Sequence, residues 1–419
     1  MSRAGRRKQE FSSNSQPTRW SEQTTLPKLH AQILVMTLAR IVLNTMHRMV
    51  YPFLAVFARG LGVDVGVMAY ALTLRSLLGV FGPLLASLAD SRGRRTGMLL
   101  GLAVFISGAV LVLLVPTLPA FIIALVLGML GKYIFDPTMQ AYLGDRIPYE
   151  QRGRVVAITE MGWSLSFILG IPLMGYLISR FGWRTPFPAL ALTGLLVFLA
   201  LARLLPKDIL PDGKRPGIRR NFHSVLTSKT ALLGLSIGLL ISAANEMVNL
   251  VFGLWMEDAF SLQIASLGIA AAAIGLAELS GETLTALFTD RLGKPRAVGA
   301  GILCNCLAVI ALPFLGRSLP GAMFGLFLFY ITFEFTIVSA IPLMTELLPA
   351  ARATLMASNA ASLSIGRAAG ALLAAQLYAG GILFNSLATL FLDLAALLLL
   401  VLLVKSMSQD SPVRQTPLS

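Results

Sequence analysis

Twelve apolar segments recur along the chain. Six lie at about 31–58, 65–88, 97–116, 119–145, 155–179 and 185–205, and six more at about 231–256, 264–289, 297–316, 321–347, 353–379 and 382–404. Each is near or above the roughly 20 residues an α-helix needs to cross ~30 Å of hydrocarbon. In lipid the backbone is satisfied only within helices or closed barrels, and continuous apolar runs of this length exclude barrel strands. The pattern predicts an all-α membrane protein with twelve transmembrane helices. Residues 1–30 are polar and basic, have no apolar stretch, and read as a disordered tail, not a signal peptide. A second polar stretch, PKDILPDGKRPGIRRNFHSVLTSKT at 206–230, is punctuated by Pro and Gly. It divides the chain into an N-terminal six-helix bundle at 31–205 and a C-terminal one at 231–404, followed by a tail at 405–419.

Lysine and arginine orient this arrangement. With both termini in the cytoplasm, 25 of the 34 basic residues fall in cytoplasmic tails and loops. Four fall outside (Arg59, Arg180, Arg184 and Arg317) and five within the membrane. The positive-inside rule selects that topology, in a cell (plasma or inner) membrane. Anionic lipid head groups then account for the net charge of +14 without a nucleic-acid partner. A charged fraction of 13%, a hydrophobic fraction of 56% and a mean hydropathy of +0.77 exclude a secreted factor or cytosolic enzyme. Cys304 and Cys306, one residue apart in an apolar run without His or Asp beside them, read as core residues, not a staple or a metal site. His223 reads as a solvated loop residue.

The two halves repeat each other. ASLADSRGRR (Ala86 to Arg95) follows the second segment and ALFTDRLGKP (Ala286 to Pro295) follows the eighth. A shift of 200 residues superposes Asp90 on Asp290, Gly93 on Gly293 and Arg94 on Lys294, and brings Asp145 near Glu346 and Pro148 near Pro349. Duplicated six-helix halves are a transporter design, with substrate held between them near the midplane. On these residues the chain resembles the major facilitator superfamily, whose loop between helices 2 and 3 reads roughly G-x-x-x-D-R-x-G-R-R. Asp90, Gly93, Arg94 and Arg95 match it; Ala86 and Ser91 depart from it. The second copy keeps Asp290, Arg291, Gly293 and Lys294. The resemblance covers about 31–404 and implies two pseudo-symmetric bundles. It also implies a gating role in which Asp90, at the end of helix 2, meets helix-end N–H groups or a basic partner in one state and releases them in the other.

The fifth segment carries GIPLMG, Gly170 to Gly175. It is similar to the glycine- and proline-bearing fifth helix of the family's drug/proton antiporters, nearer G-x-x-x-G-P-x-x-G-G, with Ile171 and Met174 departing from that pattern. A kinked, closely packed helix is the alternative reading.

Ionisable groups at membrane depth are costly and functional by default. The first half holds Arg40, Arg48, Arg75, Lys132 and Asp136, and the second Glu246, Glu278, Glu282, Glu334, Arg367 and Asp393. In the family's arrangement helices 1, 4, 7 and 10 face a central cavity. That places Arg40, Asn44, His47, Arg48, Lys132, Asp136, Asn245, Glu246, Asn249 and Glu334 there. Arg40, Asn44 and Arg48, at i, i+4 and i+8, share one helix face. His47 lies off that face and reads as a packing or hydrogen-bonding group. Lys132 and Asp136, one turn apart, can pair with each other. Glu278 and Glu282, also one turn apart, resist double ionisation and so suggest a carried proton. Glu246 and Glu334, then Asp136 and Glu278, are the proton-coupling candidates. Arg367 is a candidate partner for Glu334 or for substrate, whereas Asp393 on the peripheral helix 12 has no functional account.

The expected function is alternating-access secondary transport of a small organic solute, as proton-coupled efflux of an amphipathic or drug-like compound. Proton-coupled uptake of an organic anion or zwitterion, lipid flipping, and a non-transporting sensor or scaffold of the same fold are the alternatives. No H-E-x-x-H, G-x-S-x-G or P-loop occurs at an appropriate place to suggest an enzyme, and no cofactor is expected. A monomer in the bilayer is the expected form.

Overall fold

The computed structural model describes residues 26–82, 93–147, 155, 158–206, 218–348 and 352–409. Within these residues the chain is helical and forms no strand. The membrane helices are α1 (Leu26–Arg48, continued by Leu54–Leu61), α2 (Val65–Leu77), α3 (Arg94–Leu114), α4 (Leu118–Arg146), α5 (Ile158–Phe181) and α6 (Pro186–Leu204). The second half repeats the order. It comprises α7 (Lys229–Asn249, continued by Phe252–Phe260), α8 (Ile264–Leu292), α9 (Lys294–Leu315), α10 (Leu319–Leu347), α11 (Arg352–Tyr378) and α12 (Ile382–Gln409). Eleven of the described helices are long and apolar enough to cross a bilayer unaided. The twelfth span is α2: the 110° turn between Leu54–Leu61 and Val65–Phe81 makes the former the far end of α1. The twelve-helix fold expected from the apolar pattern is the one observed.

Several ends differ from expectation. α1 starts at Leu26, inside the stretch read as tail, and α12 runs on to Gln409. The connecting loop contains a short helix, Ile218–Thr227. Hydrophobic periodicity locates apolar cores better than polar ends, because helices extend into the head-group region where water satisfies the last carbonyls.

Duplication reaches local geometry. α1 breaks over residues 49–53, around Pro52, and α7 breaks at Leu250 and Val251, about 200 residues on. The turns into α3 and α9 pass through Gly93 and Gly293, at φ +96° and +82°. A side chain is strained there, which explains the glycine in both copies of the motif. Just beyond it Arg94 pairs with Asp145 at 3.0 Å and Lys294 pairs with Glu346. Each copy thereby ties the start of its third helix to the end of its fourth.

The halves meet along α5 with α8 and α2 with α11. At the α5–α8 crossing a Cβ on Gly175 would lie 3.3 Å from the Gly268 Cα, so small residues let the backbones touch. Away from the chain termini the halves are shut. Arg59 pairs with Glu257 at 2.7 Å, and Gly253 lies so close on the Pro52 backbone that a Cβ would come within 2.5 Å of its carbonyl oxygen. Gly293→Ala should cost about 1–3 kcal/mol for the disfavoured backbone region. It should therefore lower the thermal unfolding midpoint of the detergent-purified protein. Gly66→Ala, in open space on α2, should not; equal midpoints for Gly293→Ala and wild type would contradict the assignment.

Candidate functional site

The polar stripe of α1 reads directly onto α5. Arg40 Nη1 donates to the Thr159 carbonyl at 3.0 Å, Asn44 Nδ2 to that of Gly162 at 3.2 Å, and Arg48 Nη1 to that of Trp163 at 3.1 Å. The next turn of α5, Ser166–Gly170, is a π turn leading into Pro172. Proline has no N–H to give, and π turns are a usual accommodation within a helix. Gly170 adds the close approach, since a Cβ there would lie 2.0 Å from Thr45 Oγ1 of α1. The Gly/Pro motif therefore seats α5 against both α1 and the opposite half.

Carboxylates from α4, α5 and α8 complete a network around that stripe. Lys132 Nζ lies 2.5 Å from Asp136 Oδ2 and donates to Asn44 Oδ1 at 2.7 Å. Arg40 reaches Asp136 at 3.5 Å and Glu160 at 2.6 Å. Arg48, buried, pairs with Glu278 of the other half. Its guanidinium carbon lies 3.5 Å from the Phe167 ring centroid and 4.1 Å from that of Trp163. Such a desolvated pair tolerates the loss of one partner badly.

A second cluster lies beyond it, toward the closed face. Tyr330 donates to Asn249 Oδ1 at 2.9 Å, and Asn249 Nδ2 to Glu246 at 3.2 Å. The Tyr51 phenol, carried by the break in α1, sits beside Glu246 and accepts from Arg75 at 2.9 Å. Arg75 also donates to the His47 carbonyl at 2.7 Å. Side-chain exposure rises from 0% at Glu246 through 17% at Asp136 to 39% at Glu160. The polar cleft thus opens on the face that carries the termini and closes on the other.

Glu334 stands apart from these pairs. It is buried on α10, and among the described residues no hydrogen bond or ion pair engages its carboxylate. A Cβ at Gly281 of α8, between Glu278 and Glu282, would lie 2.8 Å from the Glu334 Cβ.

The structure thus brings Arg40, Asn44, Arg48, Lys132, Asp136 and Glu278 together with Glu334 nearby, and joins Asn249, Glu246 and Arg367 in the deeper cluster. Asn245 is half-buried, with Oδ1 unpartnered. One expectation changes. Arg367 donates to Ser364 at 3.1 Å, and among the described residues it makes no ion pair with Glu334. Glu278 is engaged by Arg48, while Glu282 accepts from Ser164 at 3.2 Å, so the two acids have separate partners. Of the motif cations, Arg95 donates to the Ala202 carbonyl of its own half at 2.7 Å. Asp90 lies outside the described residues, and Asp290 and Arg291 are exposed at the end of α8. Asp393 is buried against α7 and α9 near Cys306, away from the cleft. Glu160, Tyr51 and Trp163 join the site without having been singled out. The Gly/Pro motif downstream on α5 was the available signal for Glu160 and Trp163; nothing in sequence pointed to Tyr51.

Residues 36–243 match the family model described as Major Facilitator Superfamily. An uncharacterized MFS-type transporter of Bacillus subtilis (strain 168), YwfA, is 32% identical over 155 residues, 37% of this chain and 38% of that relative. A second from the same organism, YceJ, is 28% identical over 319 residues, 74% of this chain and 79% of the relative. Among solved structures, a bacterial homolog to the human lysosomal transporter Spinster, inward-facing and unoccupied, matches at a TM-score of 0.75 and 18% identity, covering 93% of this chain and 100% of that one. A two-bundle membrane fold around a central polar cleft defines the class, a solute carrier and not an enzyme. The chain belongs to the major facilitator superfamily and is a multi-pass membrane transporter.

Arg48→Met should destabilise the detergent-purified protein by about 3–5 kcal/mol, because Glu278 is left buried and unpaired. Arg48→Met with Glu278→Met should recover part of that loss. A double variant no more stable than the single would show that the pair is not what the site depends on.

Proposed function

We propose that this transporter exports a small amphipathic organic solute in exchange for protons, with both termini in the cytoplasm of a bacterial inner membrane. The observation that carries the reading is Glu334, a buried carboxylate facing a cleft in which the cations are already engaged. The central set contains five cations (Arg40, Arg48, Arg75, Lys132 and Arg367) and six carboxylates (Asp136, Glu160, Glu246, Glu278, Glu282 and Glu334). One acid is therefore in excess. A single proton, or one positively charged solute, brings the set to neutrality, and the two compete for the same compensation. Glu334 takes a proton from outside when the cleft faces out, and gives it up to the cytoplasm when solute enters from that side. The chain needs no cofactor for this and works as a monomer, without a nucleic-acid partner.

Uptake of an organic anion has less support. Arg40, Arg48, Arg75 and Lys132, the cations that would bind it, each have a carboxylate, carbonyl or phenol partner.

The test is reconstitution in liposomes with an imposed pH gradient and a pH-sensitive dye inside, screening lipophilic amines and other amphipathic solutes for linked proton movement. Wild-type protein should move protons with solute, and Glu334→Gln should reduce this at least 10-fold while still binding solute. Solute flux that ignores the pH gradient and survives Glu334→Gln would sink the proposal. The duplicated motif supplies an independent expectation: Asp90→Asn and Asp290→Asn should each shift the inward–outward balance. Spin-label distances across the mouth on the terminal face measure this, and unchanged distributions would refute the gating role.

A further inference from the structure

A cavity of about 630 Å³ opens on the outer surface of the second half, between the start of α9 and the end of α12. It lies away from the polar cleft, which is bounded by α1, α4, α5, α7, α8 and α10. Pro295, Gly299, Leu400 and Val404 contribute to its apolar wall, and Arg296 and Lys405 stand at one end. The two helices run antiparallel, which brings the first turn of α9 beside the last turns of α12. Both cations therefore sit at the depth of the lipid head groups on the terminal face, with the apolar groove running from them toward the hydrocarbon. Between Leu397 and Lys405, eight residues of helix give the groove a length of about 12 Å. Gly299 keeps it open: a Cβ there would already meet Leu400 Cδ2 at 3.4 Å, and a larger side chain would fill the space.

Arg296 and Lys405 are exposed, and among the described residues neither has an ion pair. Lys294, two residues before Arg296, is by contrast committed to Glu346. A groove that is apolar along its length and cationic at its head-group end matches a molecule with an acyl chain and an anionic head. Basic pockets between membrane helices on the cytoplasmic side take acidic lipids for this reason. We propose that the α9–α12 groove is a binding site for an anionic phospholipid of the leaflet on the terminal face, its phosphate on Arg296 and Lys405 and one acyl chain along Gly299, Leu400 and Val404.

Native mass spectrometry of the full chain in detergent, titrated with phosphatidylglycerol or phosphatidylcholine, tests this site. Wild-type protein should retain one phosphatidylglycerol more tightly than any phosphatidylcholine. Arg296→Gln with Lys405→Gln should weaken that adduct about 30-fold, the loss of two basic contacts at a membrane surface. Gly299→Leu, which fills the groove and leaves both charges, should weaken it as well. Competition with inorganic phosphate separates a lipid site from a bare anion site: displacement by millimolar phosphate would overturn the proposal. So would equal retention of the two lipids, or undiminished phosphatidylglycerol binding in both variants. A gain in that adduct when residues 410–419 are removed would make the tail the native occupant and overturn it too.

Discussion

Ionised side chains at membrane depth must be compensated, and the architecture of this transporter follows from that demand. Ten of the eleven such groups converge between the halves, all but Asp393, and the first half carries most of the cations while the second carries most of the acids. Arg48 with Glu278 is the point where the two inventories meet directly. Elsewhere compensation is local: Lys132 with Asp136 on one helix, and the α1 stripe against backbone carbonyls of α5. A charge network of this kind is tolerated in lipid because water reaches its outer members while most of the inner ones have a polar or charged partner.

Two different types of contact hold the halves together. Toward the closed face they meet through close backbone approach, at Gly175 with Gly268 and Gly253 with Pro52, and through Arg59 with Glu257. Toward the terminal face they separate around polar side chains of growing exposure. Close-packed small residues resist sliding, whereas hydrated ion pairs rearrange readily, so opening on one side requires little cost on that side. The helix breaks near residues 50 and 250 fall at the inner end of the cleft and carry Tyr51 and Asn249 into it.

The placement of partners also changes the chemical character of the site. Read as a list, the first-half cations suggest a receptor for anions. Once their partners are known, they are occupied, and the unengaged group is the acid Glu334. A binding site is defined by the charge left over after internal pairing. The same reasoning distinguishes Arg296 and Lys405 on the outer surface from Lys294, whose charge Glu346 already meets.

The chain by itself determined the twelve helices, their division into two halves and the duplicated turn motif, because each depends on local hydrophobic length or on a shift of 200 residues within one string. It also announced which residues were too polar for lipid, and the i, i+4, i+8 spacing put Arg40, Asn44 and Arg48 on one face. Partner choice was decided only in three dimensions. Glu278 has Glu282 one turn away in sequence yet bonds Arg48, 230 residues distant, and Arg367 donates to Ser364 on its own helix instead of meeting Glu334. Spacing within a helix reports which groups share a face; which opposing helix that face meets depends on how the bundles pack, and electrostatic pairing follows the packing.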